Sequence, residues 1–402
     1  MSHIKTKTVV LGITGSIAAY KMANVASDLT KNGVDTHVIM TPNATEIISP
    51  LTFSTLTGNT CIVDTFDKHI NYNVAHVSLA KRADVFMIAP ATANVIGKLA
   101  HGIADDMLTT TAMAMHCKKF IAPAMNTHMY ENPALQRNLE ILKRDSYEII
   151  EPDFGILACK DEGKGKLVKE NVLLDYLYRE VAFDQDYAGK KVLITAGPTQ
   201  EVIDPVRFIS NHSSGKMGYA LAKIAMQRGA DVTLVSGPTT LPLPAFVRHI
   251  PIRSSKDMFN AVKEVFSEQD IVIKAAAVAD YTPKTYHENK IKKDKSESVL
   301  ALELKRTDDI LSYLSAHKKP SQFICGFSME TENLVKNSRK KLIKKNLDMI
   351  IANNLFVKGS GFQTDTNVVT VITPQDTVPL PIMSKEEVAK AILDTILAQV
   401  EP

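Results

Sequence analysis

Short apolar runs rich in β-branched residues alternate with helix-length segments along this chain, and the alternation starts twice. The first series is Thr8–Ile13, Val34–Met40, Val85–Ala89 and Phe120–Ala122; the second is Lys191–Thr195, Val232–Ser236, Ile271–Ala275, Phe323–Gly326 and Met349–Ala352. Runs apolar at nearly every position suit parallel strands covered by helices on both faces. Helical patterns such as Val172–Val181, Gly218–Arg228 and Glu332–Leu347 lie between or beyond them. The fold expected is therefore α/β, with two Rossmann-like parallel-sheet domains. The join falls near Phe183–Gly189, giving 1–186 and 187–402. A chain of 402 residues fits two domains of ordinary size. In open sheets of this kind ligands bind beyond the carboxyl ends of the strands.

A net charge of +3 with 23% charged residues gives no global signature of a nucleic-acid binder. Lysine is dense in Lys290–Lys295 and Lys336–Lys345, which reads either as a site for a polyanionic small molecule or as a solvated face. Cys61, Cys117, Cys159 and Cys325 show neither CxxC nor zinc spacing, so a reducing, cytoplasmic setting is expected. The N-terminal apolar run is too short for a signal segment or a membrane span.

In the first half, Gly12-Ile-Thr-Gly-Ser-Ile-Ala-Ala-Tyr-Lys21 follows a strand and opens a helix, so Gly15 and Ser16 can face a phosphate. A generic Rossmann-like bend explains that segment equally well. Two further strands run into Pro-Ala-Thr-Ala-Asn94 and Pro123-Ala-Met-Asn126-Thr-His-Met129-Tyr130, which brings a Pro and an Asn to one sheet edge each time. Asparagine suits a carboxylate or a flavin edge; helix capping is the competing reading.

Together GSIAAYK, AHVSLAKRADV, APATAN and PAMNTHMY resemble the motifs of the homo-oligomeric flavin-containing cysteine decarboxylase family across nearly all of residues 1–180. The resemblance implies that Asn126 holds a substrate carboxylate and His76 is the catalytic base. It also implies that Gly15, Ser16, Thr41, Ala91, Thr92 and Asn94 bind FMN. Leu157-Ala-Cys-Lys-Asp-Glu-Gly-Lys-Gly165 resembles the family's substrate clamp, which makes Cys159 the candidate proton donor; Lys160 stands where family members often carry glycine. Flavin supplies the electron sink that an ordinary α-amide carboxylate lacks for losing CO₂.

In the second half, TAGPTQEVIDPVRFISNHSSGKMG offers small residues and hydroxyls to phosphate at a helix start. It lacks the GxGxxG fingerprint, and no acidic residue ends the next strand to take a ribose. This segment resembles the phosphopantothenate–cysteine ligase family, as do Lys274-Ala-Ala-Ala-Val-Ala-Asp280, Lys290-Ile-Lys-Lys293, Asp308–Leu311, Gly326-Phe327 and Lys341 with Lys345. The resemblance implies a nucleotide site built from Lys274, Ala275, Ala276, Asp280, Lys290, Asp308, Asp309, Ile310, Leu311, Phe327, Lys341 and Lys345. Asn211 would stabilise the acyl-nucleotide, Lys290 the phosphates, and Asp280 a metal.

The two resemblances together imply a bifunctional enzyme of coenzyme A biosynthesis. Its cofactors would be FMN and Mg²⁺ with CTP as co-substrate, and its substrates 4′-phosphopantothenate, cysteine and 4′-phosphopantothenoylcysteine. A homo-oligomer is implied, decarboxylase trimers linked by ligase dimers, with no nucleic acid or membrane partner. Two readings compete: a nicotinamide oxidoreductase, and a flavin-binding regulatory or scaffold protein lacking one activity.

Overall fold

The computed structural model describes residues 7–66, 75–292, 301–330, 332–354, 361 and 364–400. The chain divides into two units, Met1–Phe183 and Asp184–Pro402. Lys293 to Lys295, part of the first lysine-rich run, lie outside the described residues.

In the first unit, β1 (Thr8–Ile13) is buried along its whole length, as its unbroken apolar run requires. It pairs in parallel with β2 (Asp35–Met40) and β3 (Val85–Ala91), and β4 (Lys118–Pro123) and β5 (Tyr147–Ile149) extend the sheet in the order β2-β1-β3-β4-β5. Side chains alternate across a strand, so Val9, Leu11 and Ile13 pack with Met22, Leu29, Leu173 and Leu177 on one face. Val10 joins Phe86, Ile88, Leu108 and Leu139 on the other. A five-residue turn, Ile17–Lys21, leads into helix Met22–Lys31. An antiparallel hairpin, β6 (Asp153–Ile156) and β7 (Glu162–Lys166), follows β5. Neither β5 nor this hairpin is expected from the sequence. β5 is only three residues long, and Gly163 and Gly165 break the apolar pattern of a strand.

The second unit builds an eight-stranded sheet from β8 (Lys191–Ala196), β9 (Asp231–Ser236), β10 (Val247–Pro251), β11 (Ile271–Lys274), β12 (Phe323–Glu330), β13 (Met349–Asn354), β14 (Val369–Ile372) and β15 (Thr377–Pro379), ordered β10-β9-β8-β11-β12-β13-β14-β15. The pairing is parallel from β10 to β13 and antiparallel from β13 to β15. The expected parallel sheet thus ends at β13. Exposed β15, with its proline, reads poorly as a strand because an edge needs no apolar face. Helix Lys216–Gln227 begins two residues earlier than the pattern indicates, immediately after Gly215. Helix Leu334–Lys344 resolves the two readings of its lysines: Lys336, Lys340 and Lys344 are exposed, whereas Lys341 and Lys345 are half-buried.

Candidate functional site

In the first unit the strand order places the switch point between β1 and β3, and the candidate flavin residues gather there. Thr14 Oγ1 donates to the Pro90 carbonyl at 2.7 Å and accepts from the Thr92 amide at 3.0 Å, tying the turn after β1 to the loop after β3. On the other side the Thr41 amide, after β2, donates to the Ile13 carbonyl at 3.0 Å. Gly15 is required by close approach: a Cβ there would lie 2.6 Å from Asn43 Cβ. Gly15, Ser16, Thr41, Ala91 and Thr92 therefore sit on one edge, with Asn94 exposed in the first turn of helix Ala93–Ala100. The donor set fits a phosphate-bearing cofactor. Thr41 Oγ1 is buried without a hydrogen-bond partner, which leaves its hydroxyl free to donate to a phosphate oxygen, and Ser16 starts its turn without a side-chain cap bond.

Beside this edge lies a cleft of about 410 Å³ lined by Ser16, Ile17, Tyr20, Met125, Asn126, Leu157 and Cys159, among others. Asn126 and Cys159, 33 residues apart, meet there: Asn126 Nδ2 donates to Cys159 Sγ at 3.3 Å. The capping reading of Asn126 holds: its Oδ1 caps the short helix Thr127–Tyr130 through the His128 amide at 2.9 Å. The hairpin reaches Asn126 through glycines. The Met125 amide donates to the Gly165 carbonyl at 2.9 Å, Gly165 has φ +144°, and a Cβ on it would lie 2.3 Å from the Met125 carbonyl oxygen. Lys160 adopts φ +70°, the left-handed conformation that glycine takes at little cost. The substitution at this position therefore keeps the backbone turn.

His76 lies in helix Ala75–Arg82, half-buried and outside the lining of that cleft, as do Thr41, Ala91, Thr92 and Asn94. Sequence reasoning missed Asp161, whose carboxylate accepts from Asn126 Nδ2 at 2.9 Å and from Cys159 Sγ at 3.2 Å; its signal was its place two residues after Cys159. It also missed Glu151, which accepts from Tyr130 at 2.8 Å and from Lys164 at 2.7 Å and so ties the hairpin to the Asn126 segment.

In the second unit the turn after β8 and the segment after β11 are stitched together. Ala277 N donates to Gly197 O at 3.0 Å, and Ala276 N to Thr195 Oγ1 at 3.2 Å. Gly215, at φ +80°, starts helix Lys216–Gln227 without a side-chain cap, which leaves the helix start suited to an anion. Two pockets of about 510 Å³ each share Ala276, Val278, Asp280, Phe327 and Lys341.

The first pocket gathers every residue named for the nucleotide except Ala275 and Lys290. Lys345 bonds Asp309 and, at 2.6 Å, Ser312 Oγ, while Lys341 donates to the Phe327 carbonyl at 3.3 Å. Lys274 is buried. Burial first, then the charge of Lys341, pushes its ammonium down to about 7, with Asp309 opposing.

The second pocket holds Ala275, and Asn211 there donates to Ala277 O at 2.8 Å. It also contains two lysines the sequence did not single out. Lys216 pairs with Asp365 at 2.7 Å, and Lys385 donates to the Gly361 carbonyl at 3.1 Å. Burial, then Lys216, pushes Lys385 down to about 8. Lys385 carried no signal because it opens the C-terminal helix Lys385–Val400, far along the chain from any motif.

Lys290 is exposed and lines neither pocket. Its neighbour Ile291 is held by Asp204 and Arg207. Among the described residues no group of three His, Cys, Asp or Glu is arranged to hold a metal ion, and no helix is long and apolar enough to cross a membrane.

Residues 1–182 match the family described as flavoprotein, and residues 187–400 the family described as DNA/pantothenate metabolism flavoprotein C-terminal domain. The chain is 47% identical over 399 residues to the coenzyme A biosynthesis bifunctional protein CoaBC of Bacillus subtilis (strain 168), covering 98% of each. It is 42% identical over 399 residues to the protein of the same name from Vibrio cholerae, covering 99% of this chain and 100% of the relative. Among solved structures, the crystal structure of the C-terminal domain of a coenzyme A biosynthesis bifunctional protein CoaBC is 43% identical with a TM-score of 0.47, covering 54% of this chain and 99% of that one.

Proposed function

The chain belongs to the family of coenzyme A biosynthesis bifunctional CoaBC proteins, and from that premise we propose how its two units divide the work. Two consecutive steps make up the function: ligation of 4′-phosphopantothenate with cysteine, and decarboxylation of the 4′-phosphopantothenoylcysteine formed. The comparisons do not favour a nicotinamide oxidoreductase or an inactive scaffold.

We assign ligation to the second unit, and the observation that carries this is the pair of pockets with one shared wall. Ligation needs two substrates, a nucleotide and an acid, held so that a carboxylate reaches the nucleotide's α-phosphate. CTP occupies the pocket of Lys274, Lys341 and Lys345, whose ammonium groups meet its phosphates. The acid lies in the adjoining pocket with its phosphate toward Lys216 and Lys385. Its carboxylate comes to the shared wall beside Ala276, where Asn211 donates to the acyl oxygen as cysteine attacks. Asp280 joins the phosphates in holding Mg²⁺. Lys290 is assigned to the phosphates by the family resemblance alone, since it lines neither pocket.

We assign decarboxylation to the first unit. FMN, when bound by Gly15, Ser16, Thr41 and the Ala91–Asn94 loop, supplies the electron sink for loss of CO₂. Asn126 donates its amide hydrogens to the substrate carboxylate, Cys159 gives its thiol proton to the decarboxylated product, and His76 takes a proton as base. His76 acts from a second copy of the chain across the cleft. Exposed Ile17 and Tyr20, at 61% and 57%, are the apolar rim for that copy. Decarboxylase trimers linked by ligase dimers complete this reading, in the cytoplasm, where the four free cysteines stay reduced.

Incubation of the flavin-loaded chain with 4′-phosphopantothenate, cysteine, Mg²⁺ and either CTP or ATP, followed by mass analysis, tests the assignment. The expected product is 4′-phosphopantetheine with CTP, and 4′-phosphopantothenoylcysteine when His76 is replaced by Asn. Absence of both products with either nucleotide would overturn it.

A further inference from the structure

The donors of Asn126 are fully used before any substrate arrives. A side-chain amide has two N–H hydrogens and one carbonyl oxygen. Asn126 Nδ2 donates to Cys159 Sγ at 3.3 Å and to Asp161 Oδ2 at 2.9 Å, and its Oδ1 accepts from the His128 amide at 2.9 Å. The Cys159 thiol donates to the same Asp161 oxygen at 3.2 Å. A carboxylate thus already sits at the junction of the two groups assigned to substrate.

The backbone delivers it there. Leu157 N donates to Asp161 O at 2.9 Å, Lys160 N to Leu157 O at 2.9 Å, and the left-handed Lys160 at φ +70° closes the turn. Below the turn the hairpin is fastened by Met125 N to Gly165 O at 2.9 Å and by Lys164 to Glu151 at 2.7 Å. The side-chain bonds of the tip to Asn126 are thus separate from the bonds that fasten its base.

We propose that Asp161 is an internal carboxylate that competes with the substrate carboxylate for Asn126, and so sets the discrimination between 4′-phosphopantothenoylcysteine and its decarboxylated product. Two carboxylates repel at one amide, so the substrate binds only with Asp161 displaced. Loss of CO₂ removes the competitor, and Asp161 returns to Asn126 while the product, which has no carboxylate, gains nothing from that amide. The inference rests on Asn126 being the residue that holds the substrate carboxylate.

The test uses the flavin-loaded full chain and two probes, with flavin difference absorbance as a readout confined to this site. One probe is 4′-phosphopantothenoylserine, which keeps the carboxylate but has no thiol to oxidise; the other is 4′-phosphopantetheine. Asp161→Ala is expected to raise the preference for the serine probe about tenfold by tightening that probe alone, the scale of one charge-assisted hydrogen bond. Asp161→Asn, which keeps an acceptor without the charge, is expected to give a smaller gain. An unchanged ratio, or a weakened serine probe, in flavin-replete Asp161→Ala overturns the proposal. Asn126→Ala separates the two levels. If it lowers the ratio while Asp161→Ala does not raise it, only the competition by Asp161 is wrong. If it leaves the ratio unchanged, the assignment of Asn126 itself fails.

Discussion

The site of the second unit is gathered by its own sheet, whereas the site of the first is only partly gathered. Lys274, Asp309, Phe327, Lys341 and Lys345 span 72 positions of sequence, yet all line one pocket because Lys274 ends β11, Phe327 lies on β12 just past the level of that end, and the others stand at the ends of or within the helices flanking β12. In the first unit Asn126 and Cys159 share a cleft, but His76 stands outside it. The contrast teaches that a parallel sheet concentrates residues near its switch point. His76, near the start of the helix that precedes β3, stays outside that cleft, and on the proposed reading it meets the cleft of a second copy.

The largest expected effect tests that contrast directly. His76→Asn should lower CO₂ release by about 10³-fold, the scale of a lost general base, while pyrophosphate release during ligation stays unchanged. Mixed oligomers of His76→Asn and Asn126→Ala chains should regain decarboxylation, since intact sites form between unlike copies. Mixing without recovery would break the claim that the first site is shared.

Next in size is Gly165→Ala. Its Cβ would press against the Met125 carbonyl at 2.3 Å, and the displaced hairpin should cost decarboxylation about 10²-fold through misplacement of Cys159. Measured kcat/KM should fall with ligation intact; full decarboxylase activity would show that the hairpin's seat on Asn126 is dispensable.

In the second unit, Lys274→Met should weaken CTP about tenfold, as expected for loss of one charge-assisted contact. Burial, then the charge of Lys341, brings the wild-type group down to about 7 from an ordinary 10.5. It is therefore largely neutral at pH 8.5 and takes up a proton when phosphates arrive. Calorimetry in buffers of different ionisation enthalpy should show that uptake for the wild type and none for Lys274→Met. The sign for stability follows from the same shift: between about 7 and 10.5 the unfolded chain binds more protons at this residue. Its contribution is thus present above the unfolded value and lost as pH falls through the folded one. Lys274→Met should flatten that part of the pH–stability profile of the nucleotide-free chain. Equal proton uptake by both proteins would remove Lys274 from the phosphates.

The smallest effect belongs to the fastening of the hairpin. Tyr130→Phe removes the bond to Glu151 and should cost the first unit about 1 kcal/mol, read as a lowered denaturation midpoint. An unchanged midpoint would show that the Tyr130–Glu151 bond adds nothing to the hold on the hairpin.

Much of this molecule is legible in the residues alone. An unbroken apolar run such as Thr8–Ile13 can be little but a strand buried on both faces, so the positions of the central strands along the chain follow from local composition. Motifs contiguous in sequence carry their own turns, which is why Asn126 after β4 and Asp280 after β11 are readable without a fold. What only the tertiary structure decided are relations between distant segments. Lys385 and Lys216 lie 169 positions apart and belong to no shared pattern, yet line one pocket. Asp161 is an ordinary surface residue until the hairpin lays it against Asn126. The antiparallel edge strands β14 and β15 likewise depend on β13 as a partner. The physical reason is common to all three. Hydrophobic periodicity and turn chemistry act over a few residues, whereas hydrogen bonds, burial and charge act through space, and only the folded sheet sets those distances.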